Sequence, residues 1–297
     1  MNYSAYAGML ASAQRKPAFW RIAVVLLASF AVTVILMPTS IGLIALLAPE
    51  LSAIDAANTG AEIGATQGGL FVVLASFAFM IVSTVLLSKK MAHRRLSDLT
   101  GPSNLLRAQF WGVLKWILVL SAVVVLIPMP DAAGTLTRQL SLGAWLAWMP
   151  LAIICVAVQV TAEELLFRGY LQTQVIGATR SYALGMIIPA LLFGLGHMSP
   201  ELDGYAALLP ILWATLFGLV VGDLTARSGS LGPAIALHLA NNLLAMLFMP
   251  VAGQLSGFGL WTRDMDLTEA YSNPYLIAIE VLFLLLTWLT ARIALKR

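Results

Sequence analysis

The sequence of 297 residues has few charged side chains and a single cysteine. Asp, Glu, Lys and Arg make up 10% of it, whereas soluble domains carry roughly 25%. Because too few polar residues remain to cover a globule of this size, the composition excludes an ordinary soluble protein and a disordered chain. The lone Cys155 also excludes an internal disulfide and a cysteine metal cluster.

Apolar residues, in contrast, make up 60% of the chain, and the mean hydropathy is +0.89. A helix that crosses a bilayer needs about 20 apolar residues, and eight runs meet this length or approach it. We therefore expect an all-α polytopic membrane protein with about eight transmembrane helices, in a single integral membrane domain over residues 1–297. The runs are 22–48, 67–88, 108–128, 142–175, 181–198, 205–225, 231–250 and 274–292.

Lys and Arg residues predict the orientation of these spans, because cytoplasmic loops carry an excess of both. With the N-terminus inside, only Arg138 and Arg263 fall in outer segments, and Lys115 lies within the third run. The other basic residues all fall at inner segments, which predicts cytoplasmic N- and C-termini in a multi-pass protein of the plasma membrane. Topology thus explains the pI of about 9.1, and no nucleic acid partner is expected.

Ionisable side chains are rare inside the predicted spans. Because each is costly in a bilayer, each is a functional hypothesis by default. Three of them cluster on the fourth run, as Glu163, Glu164 and Arg168. The full set is Lys115, Glu163, Glu164, Arg168, His197, Asp223, His238 and Glu280.

Helical spacing separates the two acids of this cluster. Glu164 precedes Arg168 by four residues, so the two side chains are neighbours on the helix and can neutralise each other. Glu163 points about 100° away, towards the face that carries Cys155 and Gln159. A carboxylate without a cation on its own helix suits proton transfer. The same spacing also fits a buried ion network that only holds helices together.

Two histidines lie at a depth similar to that of Glu163. At 1.5 Å per residue, Glu163 and His197 lie roughly 20 and 24 Å from the inner turn near residue 180, and His238 lies about 8 Å past a helix start at Pro233. We therefore expect three helices to bring these three side chains to one buried point. Asn241 and Asn242 both follow on the His238 side of the last of these helices, and the spacing does not choose between them.

Three motifs follow one another in separate spans, namely Glu163-Glu164…Arg168, Phe193…His197 and His238…Asn242. In this order they resemble the CPBP family of intramembrane proteases, which is named for CAAX prenyl endopeptidases and bacteriocin-processing (Abi) enzymes. The resemblance covers about residues 145–250. It implies a protease core at 141–250, preceded by N-terminal spans without a recognised motif at 1–140 and followed by an outer loop and a last span at 251–297.

The resemblance also implies an activity and a role for each motif residue. We expect an endopeptidase that acts on a membrane-embedded or lipidated peptide or protein within the lipid bilayer. Glu163 would be the general base and His197 would hold the same water, while His238 and Asn242 would stabilise the oxyanion. Glu164, Arg168 and Phe193 would be supporting residues. We favour a mechanism without a cofactor.

A zinc-dependent form of the same protease is the first alternative. Glu163, His197 and His238 make a set of two histidines and one carboxylate, which suits zinc with an open position for water. Against zinc, the sequence predicts no second carboxylate that would orient either imidazole, as metal-binding histidines usually require.

Two other classes of protein are also compatible with buried ionisable groups. A proton-coupled transporter would use Glu163, His197, Glu280 and Lys115 as a relay, but it would be expected to carry inverted repeats, and we find none in the sequence. A non-catalytic membrane scaffold, such as a bacteriocin-immunity factor, would keep the fold without the chemistry. Retained biological function after substitution of Glu163 would favour the scaffold.

Overall fold

The computed structural model describes residues 3–15, 17–47, 63–127, 134–253 and 255–297. The ends of the first and third predicted runs, at 48 and 128, lie outside these residues. The helices are α1 (Ala7–Ala13), α2 (Phe19–Leu47), α3 (Gln67–Ala92), α4 (Leu96–Thr100), α5 (Ser103–Val125), α6 (Leu142–Glu164), a π-helix (Leu165–Gln172), α7 (Thr173–Thr179), α8 (Tyr182–Leu195), α9 (Leu208–Ser228), α10 (Gly232–Leu247), α11 (Leu267–Ser272) and α12 (Pro274–Leu295). Two short strands, β1 (Thr135–Arg138) and β2 (Trp261–Asp264), complete the fold.

Each of the eight apolar runs contains a helix, so the chain is an all-α polytopic membrane protein, as predicted. Within the described ranges, six helical segments are long and apolar enough to cross a membrane, while α8 and α10 are shorter apolar helices. The number of helices that cross the bilayer stays a prediction. The six segments are Phe19–Ser40, Gln67–Ala92, Leu96–Val125, Leu142–Thr179, Leu208–Ser228 and Pro274–Leu295.

Polar caps and left-handed residues mark where the core helices begin and end. The hydroxyl of Ser141 accepts a hydrogen bond from Ala144 N at the start of α6, and Ser181 caps α8 in the same way. Gly229, with a φ of 75°, ends α9. Three residues later α10 begins, with a proline in its first turn.

The two ends of the helix bundle are defined by separate contacts. Strands β1 and β2 pair antiparallel, with Thr135 opposite Asp264, and mark what we call the ribbon end. At the other end, the termini end, Asp223 of α9 accepts hydrogen bonds from Tyr3 Oη at 2.9 Å and from Trp288 Nε1 at 3.0 Å. The first described segment and the last helix therefore meet at one end of the bundle. Which end faces the cytoplasm stays a prediction.

Arg94 lies at the termini end but is buried, with 1% of its surface exposed. Its guanidinium donates hydrogen bonds to Met9 O, Asp98 O and Thr173 Oγ1 at 3.2, 2.7 and 2.6 Å. Burial lowers the pKa of Arg94 to about 10. The sequence predicted Arg94 as one of many inner loop charges, whereas the folded chain uses it to join α1, α4 and α7.

Candidate active site

Helices α6 and α10 lie side by side and run in opposite directions. Trp145 Nε1 donates to Leu247 O at 2.9 Å, Asn242 Nδ2 donates to Gln159 Oε1 at 3.0 Å, and His238 faces Glu164. The residue numbers increase along α6 while those of the partner residues decrease along α10, so the two helices are antiparallel. This register places the Glu163-Glu164 pair opposite His238.

Glu164 contacts both His238 and Arg168. Its Oε1 atom lies 2.8 Å from His238 Nδ1 and 3.1 Å from Arg168 Nη1, and all three side chains are buried. Because an ionised carboxylate only accepts hydrogen bonds, Nδ1 of His238 must carry the proton that it donates. The prediction that no second carboxylate orients an imidazole is therefore wrong, because spacing along one helix could not show a contact made between two.

Glu163 faces the other side of the same imidazole. Its Oε2 atom lies 3.6 Å from His238 Nε2, too far for a hydrogen bond. Glu163 is 8% exposed, and among the described residues this buried Oε2 has no hydrogen-bond partner. His238 thus lies between two carboxylates, one that holds it and one whose oxygen stays available for chemistry.

A π-helix begins directly after the two acids, at Leu165. π-helical turns are rare and occur frequently at functional sites. Thr173 Oγ1 donates to Gly169 O at 2.7 Å, and the buried Arg94 also reaches this carbonyl, at 3.4 Å. A side chain at Gly169 would meet the carbonyl oxygen of Leu99 at 2.8 Å. The helical periodicity of the sequence did not predict this segment.

Phe193 lies at the centre of an aromatic cluster around the ionic groups. Its ring is 4.4 Å from the Arg168 guanidinium carbon, and its centroid is 5.1 Å from that of Phe167 and 6.0 Å from that of His238. Phe217, which the sequence analysis missed, packs against the His238 imidazole at 4.7 Å. These rings are buried, and such an apolar environment strengthens the contacts between the charges.

His197 lies beyond the end of α8, which stops at Leu195 instead of continuing to 198. Its Nδ1 atom is 2.8 Å from Phe193 O, its ring is 4.5 Å from the Phe193 ring, and its side chain is exposed. In the part of the chain that the structure describes, no hydrogen bond, ion pair or ring contact joins His197 to Glu163 or His238. The expected single buried point therefore holds two of the three residues, and Phe193 connects it to the third.

The predicted zinc ligands are Glu163, His197 and His238. Among the described residues, no three His, Cys, Asp or Glu side chains are grouped so that they could hold a metal ion. Glu163, His197 and His238 therefore do not form a three-ligand set in this conformation.

Asn242 is the asparagine that reaches across to α6. Its amide nitrogen donates to Gln159 Oε1, one helical turn closer to the ribbon end than Glu163, and its Oδ1 accepts from Asn241 Nδ2 at 3.3 Å. Helical spacing predicts Gln159 on the same face as Glu163 but gives it no role. The signal that could have identified Gln159 as a site residue is its polar amide within an apolar run, four residues before Glu163.

The other two members of the predicted relay lie on other helices. Lys115 is exposed on α5, with its Nζ 5.1 Å from the Trp116 ring centroid. Glu280 lies on α12, where it interacts electrostatically with Arg263 of β2. Neither side chain makes a hydrogen bond or an ion pair with Glu163 in the described structure, so the contacts do not trace a relay.

Comparison with known proteins relates the site to a family. Residues 143–244, which contain all three motifs, match the family of type II CAAX prenyl endopeptidase Rce1-like proteins. The uncharacterized protein YyaK of Bacillus subtilis (strain 168) is 29% identical over 180 residues, which cover 58% of each of the two chains. The chain thus matches less than two thirds of that relative, and no solved structure matches it. The family match confirms the resemblance to the CPBP intramembrane proteases that the three motifs indicate.

Proposed function

We propose that the protein is an intramembrane endopeptidase of the CAAX type, which hydrolyses a peptide bond in a membrane-embedded or lipidated peptide or protein. The observation that carries the proposal is the position of His238, which lies between Glu163 and Glu164 in a buried site. The match of residues 143–244 to CAAX prenyl endopeptidases supports the type of reaction.

The proposed chemistry requires one proton to be shared out among the ionisable groups of the site. Ionised Glu163, Glu164 and Arg168 carry two negative charges and one positive charge, so one further proton makes the cluster neutral. In the proposed mechanism this proton is on His238, because Glu163 must be ionised to act as a base. Glu163 is then a base, and His238 presents an Nε2–H group beside it.

Peptide hydrolysis follows from these positions. Glu163 takes a proton from a water molecule, whose oxygen attacks the peptide carbonyl carbon. The Nε2–H of His238 and an N–H of Asn242 stabilise the charge that develops on the carbonyl oxygen. Glu163 then gives the proton to the leaving amine nitrogen as the C–N bond breaks.

His197 is proposed to hold the same water. Its Nδ1 faces Phe193 O, so Nε2 is the ring atom left for the water. The proposal requires His197 to approach Glu163 when a peptide binds, in keeping with catalytic contacts that tighten only in the enzyme–substrate complex. Phe193, which contacts both imidazoles, is the side chain that must move with it.

The zinc-dependent form has one observation in its favour. A metal-binding histidine usually donates its other N–H to a carboxylate, and His238 does so to Glu164. The described residues, however, offer no three-ligand group for a metal ion.

The direct test compares the wild type with Glu163→Gln on a quenched fluorescent peptide that carries a farnesylated cysteine followed by three residues. We expect the wild type to cleave this peptide. Glu163→Gln should lower the cleavage rate by more than the ~10²–10³-fold that is typical of a missing oxyanion donor. Comparison of membrane proteomes from cells with wild type and Glu163→Ala then identifies uncleaved natural substrates. Full activity of folded Glu163→Gln would exclude the proposed base, and an unchanged proteome with retained biological function would favour the scaffold.

A further inference from the structure

Gln159 is a buried amide in a helix predicted to cross the membrane. Only 6% of its surface is exposed, and its Oε1 accepts the hydrogen bond from Asn242 Nδ2 at 3.0 Å. Burial of an amide away from water is unfavourable unless it is hydrogen-bonded, and polar residues at such positions are often functional. None of the three motifs includes this residue.

The amide of Asn242 is held on both sides. Its Oδ1 accepts from Asn241 Nδ2, and its Nδ2 donates to Gln159. A primary amide nitrogen carries two hydrogens, so the bond to Gln159 uses one and leaves the other for a different acceptor. The orientation of that second N–H is fixed by the contact with Gln159.

The contact with Gln159 also fixes where the second N–H lies relative to His238. Gln159 and Glu163 are one turn apart on α6, and His238 and Asn242 are one turn apart on α10. The two helices therefore make two consecutive cross-helix contacts, Glu163 with His238 and Gln159 with Asn242. The Asn242 amide and His238 Nε2 are both drawn towards the same face of α6.

We infer that Gln159 is a positioning residue, which accepts a hydrogen bond from Asn242 and so aims the free N–H of that amide at the developing oxyanion. The inference rests on the proposed function, and it extends the site by one residue on α6. Its rival is a purely structural role, in which the Gln159–Asn242 bond only joins two helices.

A double-mutant cycle separates the two roles. The variants are Gln159→Leu, Asn242→Ala and their combination, assayed for kcat, KM and Tm on the farnesylated peptide described above. Removal of an oxyanion donor costs ~10²–10³-fold in rate, and we expect misdirection of that donor by Gln159→Leu to lower kcat about 10-fold or more with little change in KM. In the Asn242→Ala background the same substitution should change kcat less than about twofold, because the group that it positions is gone.

Gln172 supplies a matched control. It is also a buried glutamine, 1% exposed, and its Nε2 donates to Gly222 O at 3.1 Å, away from Asn242. Gln172→Leu makes the same chemical change, so any effect it has on kcat should be the same with and without Asn242→Ala. A Gln159→Leu effect that is likewise independent of Asn242, or an unchanged kcat, would overturn the inference.

Two further variants, Gln159→Asn and Glu163→Gln, complete the test. If Gln159→Leu does not accumulate in membranes, Gln159→Asn keeps a polar side chain but withdraws the acceptor by one methylene, and the same cycle is measured with it. Glu163→Gln is assayed in parallel. An active wild type with an inactive Glu163→Gln upholds the proposed function whatever Gln159 does, whereas a wild type that cleaves neither the peptide nor any membrane protein ends both proposals.

Discussion

His238 Nδ1 lies 2.8 Å from Glu164 Oε1, and the same oxygen is 3.1 Å from Arg168 Nη1. One carboxylate oxygen therefore orients the imidazole and neutralises the guanidinium. The second acid of the Glu-Glu pair is thus a partner of His238 as well as of Arg168, which the helical spacing alone did not indicate.

Glu164→Gln is expected to lower both activity and stability, because it leaves a buried Arg168 without its counter-charge. Removal of one member of a buried ion pair typically costs about 3–5 kcal/mol. Tm in detergent and peptide cleavage measure the two effects. The double variant Glu164→Gln/Arg168→Met should recover part of the lost Tm but not the activity, since Nδ1 of His238 still lacks the carboxylate that orients the imidazole. A double variant less stable than Glu164→Gln alone would contradict this account.

Gly218→Ala is expected to disturb Arg168 through a small steric change. A Cβ at Gly218 would lie 3.0 Å from Ala190 Cα and 3.2 Å from Arg168 Nη2. We expect reduced cleavage and a lower Tm, because both neighbours are packed and cannot withdraw freely. Gly112→Ala is the control, since a Cβ there meets nothing within 4 Å. In the middle of a helix alanine is worth roughly 0.5–1 kcal/mol over glycine, so equal losses of Tm from both variants would refute the steric explanation.

Arg94→Met should destabilise the termini end of the bundle. The substitution leaves the carbonyl oxygens of Met9 and Asp98 without the guanidinium that they now accept from. An unsatisfied buried polar group costs about 1–3 kcal/mol, so the variant should lose at least that much stability. Arg107→Met, which removes an exposed arginine of α5, should change Tm little. A comparable loss of Tm from both variants would mean that the removal of a positive charge, and not the removal of a buried hydrogen-bond donor, causes the destabilisation.

Chelation tests the metal-free mechanism. We expect purified protein to keep its cleavage activity after dialysis against a zinc chelator, and elemental analysis to find less than one zinc per chain. The measurement is the initial rate on the farnesylated peptide before and after treatment. Activity that disappears in the chelator and returns with added zinc would establish the alternative mechanism.

The sequence predicted the helices, and it predicted that Glu163 and His238 meet in one site. Both predictions depend on local periodicity and on the scarcity of charge inside spans. It could not predict which side of His238 each acid occupies, since that depends on how α6 packs against α10. The end of α8 before His197 was missed as well. Gly194 and Gly196 flank that end and favour helix termination, but the apolar run continues past them.

The π-helix was also beyond the reach of periodicity. Its stability depends on Arg94 and Thr173, which satisfy the Gly169 carbonyl, and on Leu99, which leaves no room for a side chain at Gly169. Arg94 is remote in sequence from the segment it supports. Such tertiary contacts override the preference of the same residues for an ordinary helix.

Asp223 accepts hydrogen bonds from Tyr3 and Trp288 and is paired with Arg227 at 2.7 Å. One carboxylate thus couples the first described segment of the chain to its last helix. Replacement of Asp223 by alanine would remove the acceptor of both hydrogen bonds at once, and it would therefore weaken the attachment of both segments to α9.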